Sequence, residues 1–327
     1  PNMVALRGGN EAPDPSWVRS LQPGWQKERS ENFEDVAAGK PVKRDLVDDC
    51  WTHMLSKARA ILSKAAELTT DELMRAAELA DFQLVDKIHA EVDTIVADKR
   101  VADALKPWFR PGCKRPGFND EYSASFNRPN VTLVDVSAQK GVERITKKGV
   151  VANGVEYEVD CIIYATGFEI AMSDYRGYVG FDILGRDGKS LFDHWGDGLR
   201  TLHGHSTHGF PNWFYVGFSQ NGFGFNQRYM LEEQVRHVVY IIDQARKRGA
   251  SIVEVTAEAE EEWVKQIRQL SRMNREFLEA CTPGYYNNEG HLQGGLLSET
   301  FSPGVRAFND VLAKWREDGK LEGLQLR

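Results

Sequence analysis

The chain has 327 residues, of which 41% are hydrophobic and 27% charged, and a formal net charge of −7. That is a globular composition with enough material for one large core or two ordinary domains. The acidic balance (pI near 5.7) argues against a nucleic-acid or anionic-membrane partner, either of which would need a basic face, and no apolar run approaches the roughly 20 residues that span a bilayer.

Pro1 rather than methionine opens the chain, so the sequence reads as if it starts partway through something longer. Residues 1–112 read as a helical subdomain. A first helix is expected over Asp14–Phe33, carrying Trp17, Val18, Leu21 and Trp25, although Pro23 and Gly24 interrupt it. Asp45 or Asp48 is the expected cap of a second, through Trp51, Leu55 and Leu62. Thr69 or Thr70, followed by Asp71 and Glu72, opens a third with acids at its positive end. Beyond Pro107 the composition turns to Pro, Gly, Asn and charge, and then to short β-branched runs: Val131–Asp135, Gly149–Ala152 and Val159–Thr166. The last is almost continuously apolar, as a strand buried on both faces of a parallel sheet should be. Asn212–Phe218 reads as a further apolar strand. Helices follow over about Gln227–Arg248 and Ala257–Glu279, and a last one begins near Pro303, a residue suited to a first helical turn. This ordering gives an α/β class for the C-terminal two thirds.

Four segments can carry chemistry. The run DCIIYATGF, Asp160–Phe168, ends a strand in Ala-Thr-Gly, which lets the backbone approach a flat or phosphorylated ligand at a sheet's carboxyl edge. An ordinary strand and turn would fit the same letters. GCKRP, Gly112–Pro116, puts Lys114 beside Arg115 in a Pro/Gly-bounded loop, which could equally be a solvated basic turn. HGFPNWFYVGFSQNGFGFNQRYM, His208–Met230, is a strand, loop and helix start, or simply a core unit. EACTPGYYNNEG, Glu279–Gly290, is a helix end and a Pro-Gly turn. His203, His205 and His208 have no acidic or Cys partner at matching spacing, so a polar cluster is a better reading than a metal site. Trp195 is read as packing. Cys50, Cys113, Cys161 and Cys281 contain no CxxC pair, and a cytoplasmic setting is the default.

Together these segments resemble the Baeyer–Villiger monooxygenases and the related flavin-containing monooxygenases. IYATGF matches their ATG motif, and CKRPGFNDEYSASFNRPNVTLVD matches the Baeyer–Villiger segment G-x-K-R-P…Y…FNRxNVxLVD. The resemblance implies the return halves of two Rossmann-like dinucleotide-binding domains plus the helical subdomain: 113–164 from the NADPH-binding domain, 165–327 from the FAD-binding domain. It implies FAD and NADPH as cofactors, and a ketone, bulky or cyclic, and molecular oxygen as substrates. Arg115 would be the catalytic residue, stabilising the flavin C4a-peroxide and the oxyanion of its ketone adduct. A guanidinium suits that role because it keeps its charge near neutral pH.

Carried over in the same way, Lys114 contacts the NADPH 2′-phosphate region, and Thr166, Gly167 and Phe168 approach the flavin. Asn226 and Gln227 present a helix N-terminus to it. Tyr285 stands in for a tryptophan that some members have, since Gly284 occupies that position here. Relatives carry Gly, Pro and Ser where this chain has Phe218, Ser219, Gln220 and Asn221. Those residues, with Phe223 and Phe225, are expected to line the substrate pocket. No GxGxxG is present, so an N-terminal half bearing both nucleotide motifs is an expected partner. Two alternatives stay open: a heteroatom-oxidising flavin monooxygenase, against which the CKRP arginine speaks, and a non-catalytic scaffold.

Overall fold

The computed structural model describes every residue except 1–2, 9–11, 56–68, 168–178 and 293–298. In chain order it contains β1 (Val4–Ala5), α1 (Pro15–Ser20), α2 (Trp25–Ala37), α3 (Thr70–Ile95), α4 (Lys99–Leu105), β2 (Gly117–Phe118), β3 (Arg144–Ile145), β4 (Gly149–Ala152), β5 (Val155–Glu158), α5 (Gln227–Lys247), β6 (Val253–Val255), α6 (Ala257–Leu270), α7 (Arg272–Glu279), α8 (Val305–Asp318) and β7 (Leu324–Leu326). The chain forms two compact units. One is Pro1–Asn10 with Asp81–Glu169, and the other is Glu11–Ala80 with Ile170–Arg327, so the division falls inside α3 and residues 1–112 contribute to both.

Caps account for most helix boundaries. Asp14 accepts the Ser16 amide at 2.8 Å and starts α1, but the chain leaves helix at Leu21 and re-enters after Gly24, which sits at φ 94°. The single expected helix over Asp14–Phe33 is therefore two, because Pro23 cannot continue a helix and glycine takes the left-handed turn cheaply. At residue 50 the helical turn is capped by Asp49, which receives the Trp51 amide at 2.9 Å, rather than by Asp45 or Asp48. Asp45 instead closes its own turn on Val47 and Asp48. Leu62 lies outside the described residues. Thr69 and Glu72 form a reciprocal capping pair, the Thr69 amide to Glu72 at 2.9 Å and the Glu72 amide to Thr69 at 3.3 Å, and the helix that follows runs unbroken for 26 residues. The helix expected over Ala257–Glu279 divides at Ser271, whose hydroxyl competes for the Ile267 carbonyl at 2.8 Å. Pro303 lies ahead of the Gly304 cap rather than in the first turn of α8.

In the first unit β1 pairs parallel with β2, and β3-β4-β5 form an antiparallel meander. Val92 and Val96 with Ala102 and Leu105 make a small core, with Phe126 and Leu133 packed against it. In the second unit Leu202, Val255, Trp263, Ile267, Phe301, Phe308 and Leu312 form the main core, edged by the β6-β7 ladder. Trp195 is buried beside Leu191, Leu199 and Phe210 and donates its indole proton to the Arg200 carbonyl at 2.9 Å.

Three expected strands are not strands here. Val131–Asp135 and the described stretch 161–167 carry no regular secondary structure, and Asn212–Phe218 is turn and coil. Ile163 is 85% exposed and Tyr164 70%, which is the reverse of a buried central strand. A strand requires at least one neighbour with which its backbone amides and carbonyls can pair. Among the described residues, nothing pairs with this one.

Candidate functional site

The GCKRP loop is anchored on both sides. Upstream, the Arg110 guanidinium meets Asp81 at 2.8–2.9 Å, and the His89 Nε2–H donates to the Pro107 carbonyl at 2.7 Å. Lys106, nearly buried, is held by Asp93 and Asp103, both at 2.8 Å. Gly112 takes φ 88°, and the Cys113 amide closes a turn on the Arg110 carbonyl at 3.1 Å. Downstream, Pro116 leads into β2, where the Gly117 amide donates to Met3 at 2.8 Å and the Asn119 amide to Ala5 at 3.0 Å. Between these anchors Lys114 lies over the Phe109 ring at 5.3 Å. Arg115 is exposed, and among the described residues no hydrogen bond or ion pair engages it. Three basic neighbours are thus occupied, whereas Arg115 is a fixed charge held out on a stiff turn. In the same unit, the Thr166 and Gly167 backbone is also exposed, with Gly167 at φ 104° and open space around its α-carbon. Phe168 lies outside the described residues.

The second unit gathers a separate constellation. Asn226 caps α5, its side chain accepting the Tyr229 amide at 3.2 Å, and Gln227 is exposed at the helix start. The preceding loop is tied down from behind. Ser219 donates to the Gly204 carbonyl at 2.6 Å. Gln220 accepts from the Thr201 amide and hydroxyl at 3.0 and 2.7 Å and donates to the Leu199 carbonyl at 2.6 Å. Asn221 donates to the Gly217 carbonyl at 2.7 Å. All three side chains are buried, so their polar groups serve the loop itself. Gly222 fits because its α-carbon abuts α8: an added Cβ would lie 2.6 Å from Phe308 Cβ and 2.7 Å from Val305 Cα.

On the outer side the aromatic rings converge. Phe223 lies 6.0 Å from Phe218, 6.3 Å from Phe225 and 6.4 Å from Tyr286, measured between ring centroids. Tyr285 and Tyr286 are 4.5 Å apart, and Trp51 is 6.1 Å from Phe225. Asn287 fixes the tyrosine turn by accepting the Gly284 amide at 3.0 Å and donating to the Leu278 carbonyl at 3.2 Å. Four expected residues (Phe218, Phe223, Phe225 and Tyr285) therefore share one aromatic cluster.

Trp51, Tyr286 and Glu34 join this constellation without having been singled out in the sequence. Trp51 read as a helix-face residue and Tyr286 as a neighbour of Tyr285. Glu34 sits in the charge-rich α2 sequence, where one more acid carries no signal. It is nonetheless 3% exposed and accepts the Asn226 amide at 3.0 Å.

The histidines serve the core. His203 and His205 are buried with His237, and the His203 ring stands edge-on to Trp263 at 4.9 Å. Burial holds His203 down at about 3 and His205 at about 4, so both are neutral at ordinary pH. His208 pairs with the Val255 carbonyl at 2.8 Å. Among the described residues no group of three or more His, Cys, Asp or Glu side chains could hold a metal ion. No described helix is long and apolar enough to cross a membrane.

No family model matches the chain. It is 45% identical over 330 residues to neopentalenolactone D synthase of Streptomyces avermitilis, covering 100% of this chain and 55% of that protein. It is 42% identical over 327 residues to Baeyer-Villiger monooxygenase 4 of a Dietzia species, covering 99% of this chain and 53% of that one. Among solved structures, the polycyclic ketone monooxygenase of Thermothelomyces thermophila superposes with a TM-score of 0.88 at 32% identity, over 100% of this chain and 54% of that one. The enzyme OTEMO, in complex with FAD and NADP, gives a TM-score of 0.63 at 25% identity over 76% of this chain and 44% of that one. The chain spans about half the length of the curated relatives it matches. Similarity running unbroken from one end of the chain to the other, in sequence and in fold, makes it a member of the Baeyer–Villiger monooxygenase family, corresponding to about half of one.

Proposed function

We propose that this chain is the C-terminal half of an FAD- and NADPH-dependent Baeyer–Villiger monooxygenase that converts a ketone, bulky or cyclic, to an ester or lactone. The observation that carries the reading is Arg115, an exposed and unpaired guanidinium on a turn whose other basic residues are all engaged. Similarity across this chain to Baeyer-Villiger monooxygenases supports the reaction class, and the fold shared with a polycyclic ketone monooxygenase supports a ring ketone.

Each unit, taken by itself, has a feature that suits part of an FAD site. Exposed backbone at Thr166 and Gly167 leaves room for a flat ligand, and the α5 N-terminus offers a positive dipole end. The chain has no GxGxxG to cradle the phosphates, so that share of the site belongs to the other half of the protein. Bound FAD, reduced by NADPH, supplies the oxygen chemistry. Arg115 then holds a permanent positive charge where negative charge develops on the ketone oxygen, and Lys114 assists the NADPH phosphate. Phe223, Phe225 and Tyr285 exclude water and shape the ketone pocket, while Ser219, Gln220 and Asn221 fix the pocket wall from behind. In this reading 113–164 belongs to the NADPH-binding domain and 165–327 to the FAD-binding domain. The helical residues 1–112 complete the assembly.

The test is the complete protein with bicyclic and macrocyclic ketones. Arg115→Ala should keep bound FAD and lose lactone formation by about 10²–10³. Product at the normal rate would remove Arg115 from the chemistry. A complete protein that never binds flavin would favour the scaffold reading.

A further inference from the structure

Glu34 is a glutamate on the buried side of α2, where that helix meets the start of α5. Its Oε1 accepts the Asn226 backbone proton at 3.0 Å. Its Oε2 lies 2.7 Å from where a Gly224 Cβ would be, so a side chain there would push the carboxyl aside. The Gly224 amide in turn points to the Met230 sulfur at 3.0 Å, and the Asn226 side chain reaches Ser30 of α2 at 3.3 Å. One carboxyl thus touches both ends of the segment that carries Phe225 and opens α5. We propose that Glu34 is a positioning residue of the candidate site, fixing the Gly224–Asn226 backbone and with it the aromatic wall and the α5 N-terminus. The geometry of the contact stands by itself; the consequence for ketone binding rests on the function proposed above.

The groups around Glu34 make the contact responsive to protonation. Asp35 and Glu31 share α2 with it. Arg306 of α8 meets Asp35 at 3.1 Å, Glu31 at 3.3 Å and the hydroxyl of Tyr229, on α5, at 2.9 Å. Among the described residues the direct donor to Glu34 is the Asn226 amide alone. Burial pushes the carboxyl up to about 7, against the lowering effects of the Asn226 amide and Arg306. The strength of the Asn226 hydrogen bond therefore changes across neutral pH, since a charged acceptor binds an N–H more tightly than a neutral one.

Backbone NMR and amide exchange on this chain test the contact directly. In the wild type the Asn226 amide resonance should titrate with a midpoint near neutrality, and in Glu34→Gln it should be flat. Glu34→Ala should speed Asn226 exchange by about tenfold or more while amides in the middle of α5 and α8 keep their protection. Glu34→Gln, which retains an acceptor, should restore most of that protection. Unchanged Asn226 exchange in Glu34→Ala, or an Asn226 titration that persists in Glu34→Gln, overturns the proposal.

In the complete protein, Glu34→Ala should raise KM for a ring ketone severalfold with a smaller change in kcat. A KM equal to the wild type would overturn the link to substrate. Protection that behaves as expected in a protein that oxidises no ketone would sink the function and leave the positioning role standing.

Discussion

Val159–Gly167 and the core around Leu202, Trp263 and Phe308 are comparably apolar in sequence and opposite in surroundings. In the core, Trp263 lies parallel to Phe301 at 6.1 Å, and Ile267 and Leu312 are fully buried. In the other stretch Ile163 and Tyr164 face solvent. The difference teaches that apolar patterning specifies what a segment can bury, whereas burial itself depends on which partners are at hand. The core closes because α5, α6, α8 and β6-β7 all come from this chain. Among the described residues the ATG segment finds no ladder partners, and the chain spans about half the length of the relatives it matches.

The comparison can be broken most forcefully at Glu260. This carboxylate is 2% exposed. It accepts from Thr207 Oγ1 at 2.6 Å and the His208 amide at 2.8 Å, and it pairs with His194 and Arg200 at 3.2 Å. Burial alone would raise it; the hydrogen bonds from His194, Thr207 and His208 prevail and bring it down to about 2. Glu260→Ala should cost about 3–5 kcal/mol in urea unfolding, because the His208 amide and the His194 ring lose their acceptor in a buried setting. A folded carboxyl held low binds fewer protons than the unfolded one, so its contribution is complete above the ordinary value of 4.5 and lost as pH falls toward 2.

Glu34 has the opposite sign. Its carboxyl is raised, so the folded state binds more protons between the ordinary value of 4.5 and about 7, and stability falls as pH rises through that window. Glu34→Gln should remove this dependence, worth about 3 kcal/mol. The difference between wild-type and variant unfolding free energies from pH 4.5 to 8 measures it. A flat difference would mean that the carboxyl is not desolvated.

Gly222→Ala probes packing rather than charge. Its Cβ would collide with Phe308 and the Val305 backbone, and neither is the free end of a flexible side chain. A loss of about 1–3 kcal/mol is expected, visible as a lower urea midpoint at unchanged slope.

The smallest effect is the sharpest test of the contrast. Ile163→Ser and Tyr164→Ser should change the stability of this chain by less than about 0.5 kcal/mol, as exposed positions do. In the complete protein the same changes should cost about 2 kcal/mol or more, because there the strand would be buried. Equal, small effects in both would mean that the ATG segment joins no sheet.

The helices were largely legible in the letters, because their signals are local. Asn226 before Gln227, Thr256 before Ala257 and the Thr69–Glu72 pair are side chains satisfying amides within one turn. The GCKRP turn was legible for the same reason, with Gly112 and Pro116 bounding it. The aromatic wall was half legible: Phe218, Phe223, Phe225 and Tyr285 could be named, but Trp51 arrives from 174 positions before Phe225, a separation no window spans. Glu34 was invisible, since its 192-residue reach to Asn226 exists only after folding.

Sequence by itself therefore determined where most helices lie, the acidic balance, the arginine turn and the family likeness, all of which rest on composition, on neighbours within a few residues or on motifs matched as strings. Tertiary structure alone decided which apolar runs are buried and which acids are desolvated. It also decided that Ser219, Gln220 and Asn221 turn inward to brace a loop. Burial and desolvation are properties of what surrounds a residue, and those surroundings are assembled from distant parts of the chain.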